Sequence, residues 1–262
     1  MFALAGYSLA MMMGMTLGLI GAGGSILAVP ILVYFFGVKP VIATGYSLLI
    51  VGCTALVGVS SYWKNDTVHF KKAVAFAIPA MISVLFTRLI IIPGIPETIM
   101  GLGKDRFIMI IFSILMLVAA ISMLKPVDKM SELSSEASVQ PHRIIIGSSI
   151  VGFLTGMVGA GGGFLIIPSL IAIFKFNIKE AIGTSLTVIT INSLVGFNGD
   201  LAKGIPMDWL LLGAFLSMTI IGVLIGAALG KRINGNHLKK SFAIFLVILS
   251  VAIIFNELIL GG

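Results

Sequence analysis

Charged residues are scarce in this sequence. Only 10 % of its 262 residues are Asp, Glu, Lys or Arg, whereas 58 % are hydrophobic. A soluble domain carries about 25 % charged residues, so the composition excludes a soluble globular protein. The apolar runs are long and continuous, which excludes a β-barrel with its alternating strands. Because a helix satisfies its own backbone hydrogen bonds in lipid, the sequence predicts an all-α, polytopic integral membrane protein.

Cysteine and histidine are also nearly absent. The single cysteine, Cys53, cannot form a disulfide within the chain, and we interpret it as a small packing residue. The histidines, His69, His142 and His237, are scattered in or beside loops and form no metal-ligand cluster. The spans hold no paired carboxylates and no Ser–His arrangement, and the glycine strings match no nucleotide-binding motif. We therefore expect no cofactor, no metal and no enzymatic activity.

The hydrophobic residues form two sets of five segments. Most segments approach the ~20 residues that a spanning helix needs, but the second and the seventh have only about 11–12. The segments cover residues 2–20, 25–36, 41–61, 73–93 and 107–124, and then 144–158, 164–174, 181–199, 209–229 and 241–260. We expect a first transmembrane repeat at 1–124, a cytoplasmic linker at 125–143 and a second repeat at 144–262. Each repeat would have about four full spans and one short, broken helix.

The two halves share a glycine-rich string. GLIGAGGSILAVP at residues 18–30 returns as GMVGAGGGFLIIP at residues 156–168, shifted by 138 positions. When residues 18–48 are aligned with 156–186, thirteen of 31 positions are identical. Apolar composition does not explain the matching Gly, Pro and Ser residues. Internal duplication is the strongest inference that the sequence supports.

The distribution of Lys and Arg predicts the orientation in the membrane. If all ten segments cross, twelve of the 17 Lys and Arg residues fall on one side; if the short segments dip in and return, the split is ten to seven. The sharper asymmetry favours five crossings per half, which inverts one repeat relative to the other. The linker then lies in the cytoplasm and the protein is a multi-pass protein of the cell (inner) membrane. The net charge of +7 reflects these basic loops, not nucleic-acid binding.

Each glycine string breaks a helix within the membrane. A break leaves backbone groups unpaired, so it survives only where protein or a wet cavity meets it. The helix that restarts offers free N–H groups and the positive end of its dipole to an anion. Paired breaks in inverted repeats point to a transporter binding site, and close packing of small residues is the alternative. The predicted substrate-binding residues at the breaks are Gly21, Ala22, Gly23, Gly24, Ser25, Gly159, Ala160, Gly161, Gly162 and Gly163.

The third segment of each half adds polar side chains. Ser47 and Ser185 occupy equivalent positions just inside this segment, and Asn192 lies mid-span. Hydroxyl and amide groups can coordinate an oxyanion without a fixed charge, although each could instead form an interhelical hydrogen bond. We include these three residues among the predicted substrate-binding residues.

Charges inside the predicted spans are few. All ten carboxylates lie in loops or near segment ends, which argues against a buried proton relay and favours a neutral anion site lined by helix dipoles. Arg88 is the deepest basic residue. Arg88 could attract an anion, but the interpretation that we favour is that its long side chain extends to the membrane interface.

The two glycine strings, each followed by A-x-G-x-S-L at Ala43–Leu48 or Ala181–Leu186, resemble the TauE/SafE family of membrane permeases. The resemblance covers nearly the whole chain. It implies a duplicated helical protein whose cargo is a small sulfur oxyanion or sulfonate, such as sulfite. It maps the family's motif onto Gly21, Gly23, Gly24, Gly159, Gly161, Gly162 and Gly163.

Together, the residues and the resemblance predict a secondary transporter, an exporter of small anions such as sulfite or organosulfonates. The anion would bind between the two breaks, and alternating access would release it. An anion channel and a non-transport membrane subunit are the alternatives. Besides the substrate and the lipid bilayer, a proton or a sodium ion is the candidate coupling ion. The exact substrate, the direction of transport and homo-oligomerisation stay open.

Overall fold

The structure is a computed structural model, and it describes residues 2–21, 23–63, 68–99, 102–124, 140–159, 161–204, 206–230 and 235–257. The elements of the first half are α1 (Phe2–Ile20), a 3-10 turn (Gly23–Leu27), α2 (Ala28–Phe36), α3 (Pro40–Trp63), α4 (Phe70–Phe86), a π-helical turn (Thr87–Ile91), the three-residue α5 (Ile92–Gly94), the paired strands β1 (Thr98–Ile99) and β2 (Leu102–Gly103), and α6 (Lys104–Leu124). Those of the second half are α7 (Pro141–Val158), α8 (Gly163–Phe174), α9 (Ile178–Leu201), α10 (Trp209–Gly230) and α11 (Gly235–Phe255).

The all-α, multi-pass membrane fold is confirmed. Within the described ranges, each of the ten predicted segments coincides with a helix or a short series of helical turns, and five helices are long and apolar enough to cross a membrane. Large apolar side chains such as Ile82, Leu210 and Ile248 are exposed on the outer surface of the bundle. In water such a surface would be unfavourable, whereas lipid tails are as apolar as these side chains.

The start of α7 overlaps the last residues of the predicted linker. Helix α7 already begins at Pro141, before the predicted boundary at residue 143. Proline suits the first turn of a helix because its missing N–H would have no partner there. Residues 125–139 of the predicted linker, and residues 258–260 of the last predicted segment, lie outside the described residues.

Equivalent helix ends in the two halves have the same backbone conformation. Gly37 ends α2 and Lys175 ends α8, and both residues are left-handed, with φ of 66° and 57°. Lys175 is the one non-glycine with positive φ among the described residues. Helix α9 begins with a capping box, in which Asn177 accepts from the N–H of Glu180 and the Glu180 carboxylate accepts from the N–H of Asn177.

The chain reverses direction at each glycine string. The α2 helix returns alongside α1, because Gly24 lies against Met13 and Leu17 while Phe36, twelve residues later, lies against Gly6. In the second half, α8 returns alongside α7 in the same way, as the contact between Gly147 and Ile173 indicates. Each string therefore forms the tip of a helical hairpin inside the bundle.

The helices of the two halves pack crosswise. Helix α1 packs along α10, where backbones touch at the pair Gly14 and Thr219, and α7 packs along α4, where Gly152 touches Ala80. Helix α3 packs along α9 through Gly52, which contacts Leu194. Small residues allow this close approach of helices that share no hydrophobic driving force in lipid. The centre of the bundle is thus formed by α3, α9 and the two glycine strings.

Candidate functional site

The first glycine of each GAGG motif, Gly21 or Gly159, faces the third helix of the other half. Gly21 has φ of +80° and lies against Ile182 of α9; Gly159 has φ of +70° and lies against Thr44 of α3. The two pairs are equivalent in the repeat, because Gly159 lies 138 residues after Gly21 and Ile182 lies 138 residues after Thr44. A side chain on either glycine would strain the backbone and overlap its neighbour, so both positions require glycine.

Two serines contact the same glycines. The Ser47 hydroxyl donates to the carbonyl of Gly159 and to that of Thr44. At the equivalent position, the Ser185 hydroxyl donates to the carbonyl of Ile182 at 2.8 Å and, across a longer 3.5 Å, to that of Gly21. Each predicted serine is therefore beside a break, but it is the break of the other half.

The last glycine of each GAGG motif packs against the helix that precedes it. A Cβ on Gly24 would overlap the backbone of Met13 and lie 2.6 Å from the backbone nitrogen of Leu17, and a Cβ on Gly162 would overlap the hydroxyl of Thr155. These two glycines allow the hairpin to close, which agrees with the alternative that small residues serve close packing. They face their own hairpins rather than the space between the halves.

The remaining predicted residues of the strings lie in or beside the restarting helices. Gly23 begins the 3-10 turn, Ser25 is fully buried within it, and Gly163 is the first residue of α8. The 3-10 turn contacts α8, so the two restarting segments meet. Ala22 and Ala160 lie outside the described residues.

The central glycine of the second string lies in the middle of the bundle. A Cβ on Gly161, whose φ is +65°, would lie 2.5 Å from Val51 of α3 and 2.9 Å from the Ser193 hydroxyl of α9. Ser193 is fully buried, and its hydroxyl has no hydrogen-bond partner within the described part of the chain. Buried hydroxyls are normally paired. The break therefore adjoins a polar group that is available to a ligand.

Asn192, next to Ser193 on α9, is another buried residue with unpaired polar atoms. Its side chain is fully buried, and neither its amide oxygen nor its amide nitrogen has a partner among the described residues. The interhelical hydrogen bond that was the alternative role for Asn192 is not observed in that part of the structure. Leaving such a group unpaired costs about 1–3 kcal/mol, so Asn192 is poorly explained as a packing residue.

The structure contradicts the expected position of Arg88. Its side chain is 1 % exposed and does not extend to the interface. Its Nη1 donates to the Asp200 carboxylate at 3.0 Å and to the Thr44 hydroxyl at 3.1 Å, and its Nη2 donates to the Thr44 carbonyl at 3.2 Å. Asp200 is 2 % exposed. The interior is thus not free of charge, which removes the reason for expecting a site lined only by neutral dipoles.

The ion pair lies beside the second break. A Cβ on Gly159 would lie 2.6 Å from Nη2 of Arg88. Arg88 belongs to the π-helical turn, a type of distortion that is common at functional sites. Lys203, just beyond α9, donates to the backbone carbonyl of Arg88. Partial desolvation lowers the pKa of Lys203, Asp200 opposes this shift, and Arg88 and Lys104 add to it.

Sequence reasoning missed this pair because each partner looked peripheral. Asp200 is the penultimate residue of α9, and Arg88 lies five positions before Pro93. The available signal was an arginine inside a continuous apolar run, which is a functional hypothesis by default in a membrane protein. Among the described residues, no three His, Cys, Asp or Glu side chains converge on a metal-sized site.

A polytopic helical bundle with helix breaks and unpaired polar groups at its centre has the architecture of a membrane transporter. The chain belongs to the sulfite exporter TauE/SafE family, whose model matches residues 7–253. The predicted family resemblance is therefore confirmed.

The curated relatives agree with this family. The chain is 30 % identical over 248 residues to a "Probable membrane transporter protein" of Xylella fastidiosa strain 9a5c, covering 92 % of this chain and 90 % of that one. It is 27 % identical to "Probable membrane transporter protein YunE" of Bacillus subtilis, covering 91 % and 92 %. It is 29 % identical to "Probable membrane transporter protein MJ0441" of Methanocaldococcus jannaschii, covering 87 % and 85 %. These relatives are named as transporters and not as enzymes. No solved structure matches the chain.

Proposed function

We propose that the protein is a secondary transporter that exports small anions, with sulfite or an organosulfonate as the cargo. Membership of the family supports a transporter, and the name of the family supports sulfite as the cargo. The anion would bind where the two glycine strings meet, between α3 and α9. The residues that would contact it are the backbone groups of Gly161–Gly163, the side chains of Ser193 and Asn192, and the 3-10 turn on the opposite side.

The observation that carries this proposal is the buried, unpaired hydroxyl of Ser193 beside the break at Gly161. The first N–H groups of a helix have no partner within that helix, and α8 begins two residues later, at Gly163. Donors from the helix start and from Ser193 would converge on one point. Such a set of uncharged donors, aided by the helix dipole, suits an oxyanion.

Inverted repeats would let this site open to either side. The crosswise pairs, Ser47 with Gly159 and Ser185 with Gly21, are related by the same 138-residue shift. The α1–α10 and α7–α4 contacts follow the same pattern. Two halves that exchange equivalent contacts can rock against each other around a central site, which is the basis of alternating access. We infer that the second half is inverted relative to the first.

Flux into proteoliposomes tests the function directly. Labelled sulfite and sulfoacetate would be offered to purified wild type and to Gly161→Leu, with and without an imposed proton or sodium gradient. We expect saturable flux in the wild type. We expect its loss in the variant, because the leucine would fill the space beside Ser193.

Gly213→Leu is the matched control, since Gly213 is an exposed glycine of α10 with no heavy atom within 4 Å of its Cβ position. This variant should transport like the wild type. A wild type that transports neither anion, while eluting as a single folded species in detergent, would contradict the cargo. Flux that never saturates would indicate a channel, and unchanged flux in Gly161→Leu would move the site away from the break.

A further inference from the structure

The guanidinium of Arg88 is incompletely paired despite its burial. Only one of its terminal nitrogens, Nη1, reaches Asp200, and Nε has no hydrogen-bond partner within the described part of the chain. A guanidinium can bind a carboxylate or an oxyanion through two parallel hydrogen bonds, and this one binds its carboxylate through one. Arg88 therefore retains donor capacity next to its existing partner.

The position of Arg88 brings it to the proposed anion site. Its Nη2 lies 2.6 Å from the point that a Cβ of Gly159 would occupy, so the guanidinium touches the second glycine string itself. Two residues along this string, Gly161 adjoins the unpaired Ser193. An anion bound at the string would thus have a positive charge close by, which the uncharged donors alone do not supply.

Stability alone gives a weak reason to keep this pair. Removing two charges from water costs several kcal/mol per ion, and apolar residues of similar volume are often as stabilising as a buried ion pair. A buried carboxylate beside a ligand site can, however, pair with a cationic side chain until an anionic ligand replaces the carboxylate. The ionised form of Asp200 carries the same type of anionic oxygen as a sulfite or sulfonate group.

We propose that Arg88 binds the transported anion and that Asp200 is its internal competitor. In the empty transporter Asp200 occupies the guanidinium, and the incoming oxyanion replaces it. This inference rests on the proposed function, because it assigns a recognition residue to the same anion site. Arg88 would be a binding residue that touches the substrate, and Asp200 would set how tightly the substrate binds.

Exchange of partners on Arg88 makes anion binding dependent on pH. Asp200 is faced by Arg88 from the π-helical turn and by Gly45 from α3, with Lys203 beyond the end of α9. Lys104, at the start of α6, acts electrostatically on Lys203. When Asp200 takes up a proton it no longer competes for Arg88. Anion affinity should therefore rise as the pH falls and weaken as the pH rises.

Calorimetric titration of purified protein with sulfoacetate in detergent tests the exchange. The measurements would compare wild type and Asp200→Asn from about pH 6 to pH 8, where the sulfonate and the carboxylate of the probe keep their charges. We expect wild-type affinity to fall with rising pH. At pH 8, Asp200→Asn should bind about tenfold more tightly, which corresponds to about 1.4 kcal/mol, and should lose the dependence on pH.

Two further variants separate recognition from folding. Arg88→Lys keeps the charge but loses the planar fork, so it should bind sulfoacetate about tenfold more weakly. Glu180→Gln makes the same type of change at the other end of α9, where Glu180 pairs with His69 at 3.3 Å. Glutamine preserves the capping box, so this control should keep wild-type affinity and pH dependence.

The outcomes distinguish this inference from the proposed function. If Asp200→Asn keeps both the affinity and the pH profile of the wild type, Asp200 does not compete and the inference is wrong. If Gly161→Leu still abolishes flux in the same preparations, only this inference is wrong and the proposed function is retained. A wild type that neither binds sulfoacetate nor transports it or sulfite would contradict the proposed function, and the inference with it.

Discussion

The two glycine strings have the same backbone role but different surroundings. Gly21 and Gly159 both have positive φ and both face the third helix of the other half. At Gly159 the neighbours are Thr44 and the buried pair of Arg88 and Asp200. Among the described residues, the first string has no such pair. The positions equivalent to Thr44, Arg88 and Asp200 under the 138-residue shift hold Ile182, Gly226 and Tyr62.

The two strings share the glycines that a helical hairpin requires, but they differ in the charged residues that could recognise a substrate. A chain reversal inside a membrane imposes the same steric demand on both strings, and so glycine recurs at equivalent positions. A buried charge pair is costly, and in the part of the chain that the structure describes it occurs beside the second string and not beside the first. We interpret the first string as a structural hairpin tip with uncharged donors. The second string combines the same tip with a cation.

The largest expected difference between the strings is electrostatic. Replacing Arg88 with methionine would leave Asp200 buried without its partner, which should lower the free energy of unfolding by about 3–5 kcal/mol. The double variant Arg88→Met/Asp200→Leu should recover most of this loss, because no unpaired charge remains. Thermal unfolding in detergent measures both. A loss below about 1 kcal/mol in the single variant would mean that water reaches Asp200.

The next comparison concerns the first glycine of each GAGG motif. Gly21→Ala and Gly159→Ala should each cost about 1–3 kcal/mol from the positive φ alone. Gly159→Ala should cost more, because the new methyl group overlaps the Thr44 carbonyl and displaces the Arg88 guanidinium. Gly213→Ala is the control, and it should be neutral or slightly stabilising because alanine favours helix. Equal melting temperatures for the two string variants would remove the predicted asymmetry.

A smaller difference is expected for the hydrogen bonds that Ser47 and Ser185 donate to the glycine string of the other half. Ser47→Ala loses a close hydrogen bond to Gly159 and should cost about 1 kcal/mol. Ser185→Ala loses a bond that is 3.5 Å long and should cost less than about 0.5 kcal/mol. Thermal unfolding of the two single variants, made in the same background, measures the difference. The reverse order would show that the 3.5 Å bond is the stronger one.

The smallest effect is expected at Tyr62, the residue equivalent to Asp200 under the 138-residue shift. The Tyr62 hydroxyl donates to the Gly18 carbonyl at 2.7 Å, so Tyr62→Phe removes one interhelical hydrogen bond. Such bonds average about 0.6 kcal/mol in membrane proteins. Flux should be unchanged, since Tyr62 lies at the string without the ion pair. A loss of anion flux in Tyr62→Phe would indicate that both strings recognise the substrate.

Local patterns were sufficient for most of the fold. Segment lengths and apolar runs predicted all ten helical segments, and the repeated string located both hairpin tips. Glycine was correctly associated with a break, because a reversal within the bilayer needs positive φ and close backbone approach. The glycines nevertheless differ in what they face. Gly24 and Gly162 pack against their own hairpins, which the one-dimensional pattern could not separate from Gly161.

The sequence by itself determined the membrane class, the helical segments and the positions of the two strings. These features depend on residues that are close in the chain, through hydrophobic length and backbone geometry. The tertiary structure alone decided which side chains meet at each string. Arg88 and Asp200 are 112 residues apart, and they pair because α4 and the π-helical turn that follows it pack against α9. The depth and rotation of helices follow from interhelical packing, which no single segment specifies.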